Sequence, residues 1–288
     1  MPLCCFQLGS NGGQTRLGWV DSEKDRVLEL PDTLATLLSL DGPARLARIG
    51  QMRRSAVGTY PLKSVTLRAP VDQQEVWAAG VTYKRSRDVR MEESTQQDVY
   101  EQVYDASRPE IFFKTNGWRC VGQKARIGIR HDSTWDVPEP ELTLVLDSSG
   151  KIAGYTIGND VSSRSIEGEN PLYLPQAKSF YASCALGPWI MLPEELEDAS
   201  NLAISMAILR ASEEVWSGQT STAQMHRSFE DLTAHLYASL DFPHGALLMT
   251  GTGLVPPPGF TLQSGDQVTI EIEGVGALVN SVARLSAR

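Results

Sequence analysis

From residue 75 onward the chain consists of short apolar or alternating runs separated by glycine and proline. Runs of this length, bounded by turn residues, are typical of β-strands and are too short for the long amphipathic repeats of core helices. They predict a β-rich fold of the α+β class. The runs lie at residues 75–81, 110–114, 126–130, 141–146, 152–159, 185–192, 202–209, 267–273 and 278–285.

Two segments instead carry helical signals. Residues 94–104 begin with Ser94 and Gln97 at capping-box spacing. Residues 228–240 place leucines four positions apart, at 232, 236 and 240, until Pro243 stops the pattern. We expect a helix at each segment.

The first seventy residues have a different character and predict a small separate unit. A glycine-rich stretch at residues 9–13 favours a hairpin, and Pro31-Asp32 is a plausible start for a short helix. We therefore expect a small N-terminal domain over residues 1–70 and a catalytic-sized domain over residues 71–288.

Composition excludes several classes of protein. Asp and Glu number 35 against 26 Lys and Arg, a net charge of −9 that argues against a nucleic-acid-binding surface. No run approaches the roughly 18 apolar residues of a membrane span, and the start lacks the pattern of a signal peptide. The four cysteines show no C-x-x-C spacing, so we expect free thiols in a cytoplasmic protein with neither nucleic acid nor membrane as a partner.

The densest chemical signal is a pair of acids, Glu139 and Glu141, which open the apolar run at 141–146. Residues two apart on a strand share a face, so two like charges would enter the core together and need a compensating cation. A hard divalent metal would serve. The competing interpretation is two solvated carboxylates at a loop edge.

A third acid, Asp160, ends the run at 152–159, although a turn or helix-cap role would also explain it. Three carboxylates without a histidine pair favour Mg²⁺, Mn²⁺ or Ca²⁺ over zinc. Lys178 lies among small and apolar residues and could balance the remaining negative charge or act as a base. A snorkelling surface lysine is the alternative.

Together these motifs resemble the fumarylacetoacetate hydrolase superfamily, over about residues 75–285. The resemblance implies a mixed β-roll catalytic domain behind a small N-terminal domain, a Mg²⁺ or Mn²⁺ held by Glu139, Glu141 and Asp160, and a homodimer or higher homo-oligomer. The matching segments are Glu139-Pro140-Glu141 and residues 154–165, 176–180, 186–190, 250–253 and 270–276.

One departure from the superfamily pattern is informative. Its hydrolases carry a histidine and a glutamate that activate water, and the corresponding positions here hold Ser86 and Val89. The stretches 79–94 and 168–180, together with the spacing of residues 139, 141, 160 and 178, instead resemble the 2-keto-3-deoxy-D-arabinonate dehydratase branch. That resemblance implies elimination of water from a sugar acid.

Such a reaction suits the residues. A 2-oxo acid chelates a divalent ion through its carboxylate and ketone oxygens, and the ion stabilises the enolate that forms when a C3 proton leaves. Lys178 is our candidate for transferring that proton or stabilising the enolate. Glu92 or Glu93 could aid the departing hydroxyl, and His131 is a minor candidate base. The expected substrate-binding residues are Tyr83, Arg85, Arg87, Lys114 and Thr252, although residues 85–93 could also be a solvated charge run.

Two other functions stay open at this point. The first is a hydrolase that keeps the metal but cleaves a carbon–carbon bond of a 2,4-diketo acid, giving pyruvate and a second acid. The second is a sugar-acid-binding protein without turnover. Neither serine hydrolysis nor a nucleotide cofactor is indicated, because no G-x-S-x-G, G-x-G-x-x-G or P-loop pattern occurs.

Overall fold

The computed structural model describes residues 2–9, 13–85 and 102–287, and β-strands dominate them. The described helices are α1 (Leu34–Leu38), α2 (Gly42–Arg54), α3 (Arg164–Glu169), α4 (Leu174–Lys178) and α5 (Phe229–Tyr237). The described strands are β1 (Leu3–Leu8), β2 (Arg16–Asp21), β3 (Arg26–Glu29), β4 (Gly58–Pro61), β5 (Val65–Arg68), β6 (Glu75–Gly80), β7 (Glu110–Asn116), β8 (Arg126–Ile129), β9 (Asp136–Val137), β10 (Pro140–Leu146), β11 (Ile152–Asp160), β12 (Ser162–Ser163), β13 (Cys184–Met191), β14 (Ala203–Arg210), β15 (Glu213–Ser221), β16 (Ala246–Met249), β17 (Gln267–Ile272) and β18 (Gly276–Arg284).

One mixed sheet runs through most of the described chain, in the order β4-β3-β2-β1-β13-β11-β10-β16-β6-β7, with β5 also paired to β1. Most neighbours are antiparallel, but β16 and β6 are parallel. A second sheet has the order β15-β14-β17-β18-β8, and β9 pairs with β12 in a short ribbon. The β-rich α+β prediction is confirmed.

The centre of the main sheet is the antiparallel pair β10 and β11. Every residue of β10 is buried, which is typical of a strand covered on both faces. Gly158 of β11 permits the close packing here, since a Cβ at that position would lie 2.4 Å from the Thr143 hydroxyl oxygen of β10. The largest apolar cluster joins these strands to β14, β17 and β18 of the second sheet.

The N-terminal strands pack against the catalytic strands rather than standing apart from them. Leu3 of β1 pairs with Ile190 of β13, and a second apolar cluster contains residues from both parts, such as Leu37 and Leu247. The Arg45 side chain of α2 also forms a buried ion pair with Asp147, 3.0 Å away. The division into domains at residue 70 stays a prediction.

All nine predicted runs from residue 75 onward coincide with strands, to within two residues at each end. The helix expected at 228–240 is α5, capped by the Ser228 side chain, and it ends at Tyr237. The N-terminal helix starts after Thr33 rather than at Pro31-Asp32, because the Thr33 hydroxyl caps it. The expected helix at 94–104 lies mostly outside the described residues.

Candidate metal centre

Strand register brings the three predicted carboxylates together. Pro140 pairs with Asn159, and Glu141 pairs with Gly158. The Asp160 backbone N–H therefore reaches the Glu139 carbonyl oxygen, at 3.0 Å. Glu139 immediately precedes β10 and Glu141 is the second residue of β10, so they stand two positions apart, the spacing at which extended backbone turns side chains to one face. One carboxylate oxygen from each of Glu139, Glu141 and Asp160 lies within 4.8 Å of the other two.

This carboxylate cluster fits a hard divalent cation. Glu139, Glu141 and Asp160 are all buried, so their mutual repulsion is poorly screened by water. Burial, followed by the negative charges of Asp160 and Glu139, raises the pKa of Glu141 well above its usual range. An all-oxygen donor set of three carboxylates suits Mg²⁺ or Mn²⁺.

Two buried lysines reach the same cluster. The Lys178 ammonium, at the end of α4, lies 2.7 Å from a Glu139 oxygen, 3.0 Å from an Asp160 oxygen and 2.6 Å from the Ser162 hydroxyl. Lys114 of β7 pairs with the other Asp160 oxygen at 2.5 Å and donates hydrogen bonds to the backbone carbonyls of Val161 and Lys178. The structure therefore brings together both predicted lysines and all three predicted ligands.

A buried arginine completes the charged centre. Arg164, the first residue of α3, lies 2.8 Å from the second oxygen of Glu139. Its guanidinium also donates a hydrogen bond of 3.1 Å to Glu167, one turn along the helix. Arg164 and Glu167 are both buried, so the ion pairs form a chain from α3 to the carboxylate cluster.

The turn that follows β16 closes the cluster from another side. The Gly251 backbone N–H donates a hydrogen bond of 2.7 Å to Glu141, which fixes one oxygen of that carboxylate. A small cavity opens in front of the three carboxylates. Apolar and polar walls meet there: besides the three ligands it is lined by Ala79, Gly80, Val81, Phe112, Lys178, Gly251 and Thr252.

Two predicted substrate-binding residues lie near this cavity. Thr252 lines it, and its hydroxyl exchanges hydrogen bonds with the backbone of Leu254. Tyr83 is buried, and its hydroxyl has no hydrogen-bond partner among the described residues. Burial, with a smaller effect of the Glu141 charge, raises the pKa of Tyr83.

The remaining predicted residues are not part of the described cluster. Arg85 is exposed where the described segment ends, and His131 is exposed in the loop after β8. Neither lines the cavity as the described residues define it. Arg87 and Glu92 lie outside the described residues, so their roles stay predictions.

Sequence reasoning missed Arg164, Phe112 and Ser162. Phe112 lines the cavity, and its ring centroid is 5.7 Å from the Lys178 ammonium. Arg164 and Ser162 both follow Asp160 closely, and their polarity beside a buried strand end was an available signal. Their partners, however, lie on segments that only the fold brings near.

Comparison with known proteins identifies the family. The family model described as fumarylacetoacetate (FAA) hydrolase C-terminal matches residues 75–283, which is most of the chain. The chain belongs to the fumarylacetoacetate hydrolase family. All three carboxylates, both lysines and Arg164 fall inside the part that matches this family.

Within the fumarylacetoacetate hydrolase family, the chain is similar to named dehydratases. It is 53% identical over 74% of its length to "Probable 2-keto-3-deoxyxylonate dehydratase" of Haloferax volcanii, covering 73% of that protein. It is 40% identical over 80% of its length to "2-dehydro-3-deoxy-D-arabinonate dehydratase" of Saccharolobus solfataricus, covering 79% of it. A solved structure of a 2-keto-3-deoxy-D-arabinonate dehydratase complexed with magnesium and 2,5-dioxopentanoate aligns over all of both chains, with a TM-score of 0.82 and 32% identity.

Proposed function

We propose that this protein is a Mg²⁺-dependent dehydratase, with Mn²⁺ as a possible substitute, acting on a 2-keto-3-deoxy sugar acid. For a five-carbon acid the reaction removes one water and yields 2,5-dioxopentanoate. A C3 proton and the C4 hydroxyl leave, and a further proton shift from C5 gives the terminal aldehyde. C4 is the one stereocentre left in this five-carbon substrate, because C2 is a ketone, C3 is a CH₂ group and C5 is a primary alcohol.

The observation that carries this proposal is the buried carboxylate cluster with Lys178 against it, in a chain similar to dehydratases over most of its length. Glu139, Glu141 and Asp160 would hold the metal. When bound, a divalent ion supplies a Lewis acid for the 2-oxo acid group.

The chain's own residues account for the rest of the chemistry. Lys178 lines the cavity and lies beside two ligands, so it is placed to accept the C3 proton or to stabilise the negative charge that develops. Thr252 and Tyr83 would contact the substrate. Val81 and Phe112 are large apolar residues of the cavity lining. Ser86 and Val89 stand at the positions of the superfamily's water-activating pair. Elimination requires no activated water.

Product analysis tests the function. Protein stripped of metal with a chelator and reloaded with Mg²⁺ should convert 2-keto-3-deoxy-arabinonate to 2,5-dioxopentanoate. The NMR signal of the aldehyde proton measures this conversion. Asp160→Asn should abolish this conversion, since it removes one ligand of three. The matched control is Asp132→Asn, which changes an exposed acid and should keep wild-type turnover.

The same experiment separates the dehydratase from the hydrolase. A 2,4-diketo acid should give no pyruvate above the level seen without protein. Pyruvate as the main product, with no aldehyde from the 3-deoxy acid, would contradict the dehydratase proposal. Ligand-dependent thermal stabilisation without turnover of either substrate would leave a binding protein instead.

We also propose that the protein is a homodimer or higher homo-oligomer in the cytoplasm. Several large apolar side chains are strongly exposed in the isolated chain, including Trp118, Leu172 and Tyr181. The four cysteines are free thiols, which suits a reducing compartment. Among the described residues, no helix has the length and apolar character needed to cross a membrane. Light scattering coupled to size exclusion would measure the oligomeric state.

A further inference from the structure

Each carboxylate of the cluster contacts a further donor group that fixes its position. The Gly251 N–H holds Glu141, and the Lys114 ammonium holds Asp160. Glu139 is held differently, by a residue that belongs to neither the strands nor the cavity wall. Its Oε1 faces the Arg164 guanidinium at 2.8 Å, whereas its Oε2 lies on the Lys178 side.

The Arg164 side chain is itself fixed at both ends of its fork. One terminal nitrogen faces Glu139, and the other lies 3.1 Å from Glu167. All three side chains are at most 5% exposed, so water does little to compensate for a lost partner. A planar guanidinium holds two carboxylates at a fixed angle and spacing, which the freely rotating point charge of a lysine ammonium does not reproduce.

We propose that Arg164, oriented by Glu167, is a positioning residue that fixes the rotamer of Glu139 for metal binding. This extends the proposed function only through its metal site and does not depend on which substrate is used. Groups behind the first ligands of a metal orient those ligands, and their loss typically weakens metal affinity about 10- to 100-fold.

The direction of the effect separates positioning from simple charge balance. If Arg164 acted only as a positive charge near the site, its removal would strengthen cation binding, because like charges repel. If it positions Glu139, its removal weakens cation binding even though the repulsion is relieved. Arg164→Lys keeps the charge and loses the fork, while Arg164→Gln loses both.

The test measures Mn²⁺ binding directly, by the electron paramagnetic resonance signal of free Mn²⁺ during titration of chelator-treated protein. We expect Arg164→Lys and Arg164→Gln to raise the Kd by about 10- to 100-fold. Glu167→Gln should raise it by less, in the same direction. The matched control is Arg45→Lys, which disrupts another buried arginine–carboxylate pair, in α2, and should leave the Kd unchanged.

Turnover provides a second readout. Because Arg164 acts through the metal, saturating Mn²⁺ should restore most of kcat in Arg164→Lys, while the Mn²⁺ concentration for half activation rises. A Kd within about twofold of wild type in folded Arg164→Lys and Glu167→Gln, or tighter binding in Arg164→Gln, would overturn the proposal. If Arg164→Lys fails to fold, the Mn²⁺ Kd of Glu167→Gln decides whether the proposal holds. Wild-type protein that binds Mn²⁺ but dehydrates no sugar acid would refute the function and leave this inference intact.

Discussion

At the scale of single residues, the two buried lysines have different surroundings. Lys114 directs its ammonium to Asp160 and to two backbone carbonyls, so its partners are fixed parts of the fold. Lys178 contacts two carboxylates and the Ser162 hydroxyl, and it also lines the cavity. Of the two, Lys178 is the group that a substrate can meet, so the catalytic proposal belongs to it.

Lys178→Met should therefore reduce kcat by about 10²- to 10⁴-fold, the usual range for a residue that transfers a proton in the rate-limiting step. KM should change much less, since the metal ligands remain and only an interaction of the transition state is lost. Steady-state kinetics at saturating Mg²⁺, with Lys151→Met as the exposed control, measures both constants. Unchanged exchange of C3 protons with D₂O in Lys178→Met would exclude the lysine as the base.

The sequence predicted the three clustered carboxylates because acids at the ends of apolar runs are conspicuous in the sequence alone. Arg164 was missed for the opposite reason. An arginine among serines after a strand looks solvated, and its burial depends on Glu139 and Glu167 arriving from either side. The spacing of residues 139, 141 and 160 indicated a metal site, but it did not indicate which other groups fix the three carboxylates in place.

At the scale of elements, sequence patterns predicted strands whose own residues alternate or are wholly apolar. They missed β16, which has only four residues, all buried, and so offers no period to detect. They also missed β15, a largely exposed polar strand that exists because its backbone pairs with β14 along its whole length. β15 follows β14 directly in a hairpin, whereas β16 pairs with β10 and β6, which are distant from it in sequence. In both cases backbone pairing, rather than local residue preference, forms the strand.

The turn after β16 gives a prediction at this scale. Gly251 has a φ of +89°, and an added Cβ would lie 2.0 Å from the Thr82 hydroxyl oxygen. Gly251→Ala should shift the turn, release Glu141 from the 251 N–H and weaken Mn²⁺ binding by about tenfold or more.

The matched control for that variant is Gly265→Ala. Gly265 has a φ of +95°, and no atom lies within 4 Å of an added Cβ. Gly265→Ala therefore introduces backbone strain without a steric clash. We expect it to lose about 1–2 kcal/mol of stability and no metal affinity. Calorimetry and Mn²⁺ titration compare the two variants, and equal metal affinity in both would show that the turn does not hold the ligand.

At the scale of the whole molecule, the N-terminal and catalytic parts are joined through polar as well as apolar contacts. Arg45 and Asp147 form an ion pair that is almost completely buried. Burial opposes ionisation of Asp147, but hydrogen bonds from Ser149 and Arg45 outweigh it and lower the pKa of this carboxyl. The pair therefore links the stability of both parts to pH.

The ion pair between Arg45 and Asp147 stabilises the folded protein less at low pH. Because the folded pKa of Asp147 lies below its unfolded value of about 3.9, its stabilisation is present above about pH 4 and is lost as pH falls through the folded pKa. Asp147→Asn should destabilise the protein by about 3 kcal/mol at pH 7, since Arg45 is left buried and unpaired. Urea denaturation should show the difference from wild type shrinking below about pH 4.

Asp132→Asn is the control for this measurement. Asp132 also has a lowered pKa, from its hydrogen bond with Arg130, but the pair is exposed. Exposed pairs contribute at most about 1 kcal/mol. A loss in Asp147→Asn no greater than in Asp132→Asn, or one that grows as pH falls, would contradict the role of the buried pair.

The single pairing of β1 with β13 has a consequence for synthesis on the ribosome. Leu3 leaves the ribosome long before its partner Ile190. At about 5–20 residues per second, the interval is on the order of 10–40 s. During that time β1 can pair with β2 on one edge and, over residues 5–8, with β5 on the other, so only the Leu3 end of that second edge lacks its partner. The nascent chain therefore exposes this apolar end of β1, which a holding chaperone could cover until the catalytic strands emerge.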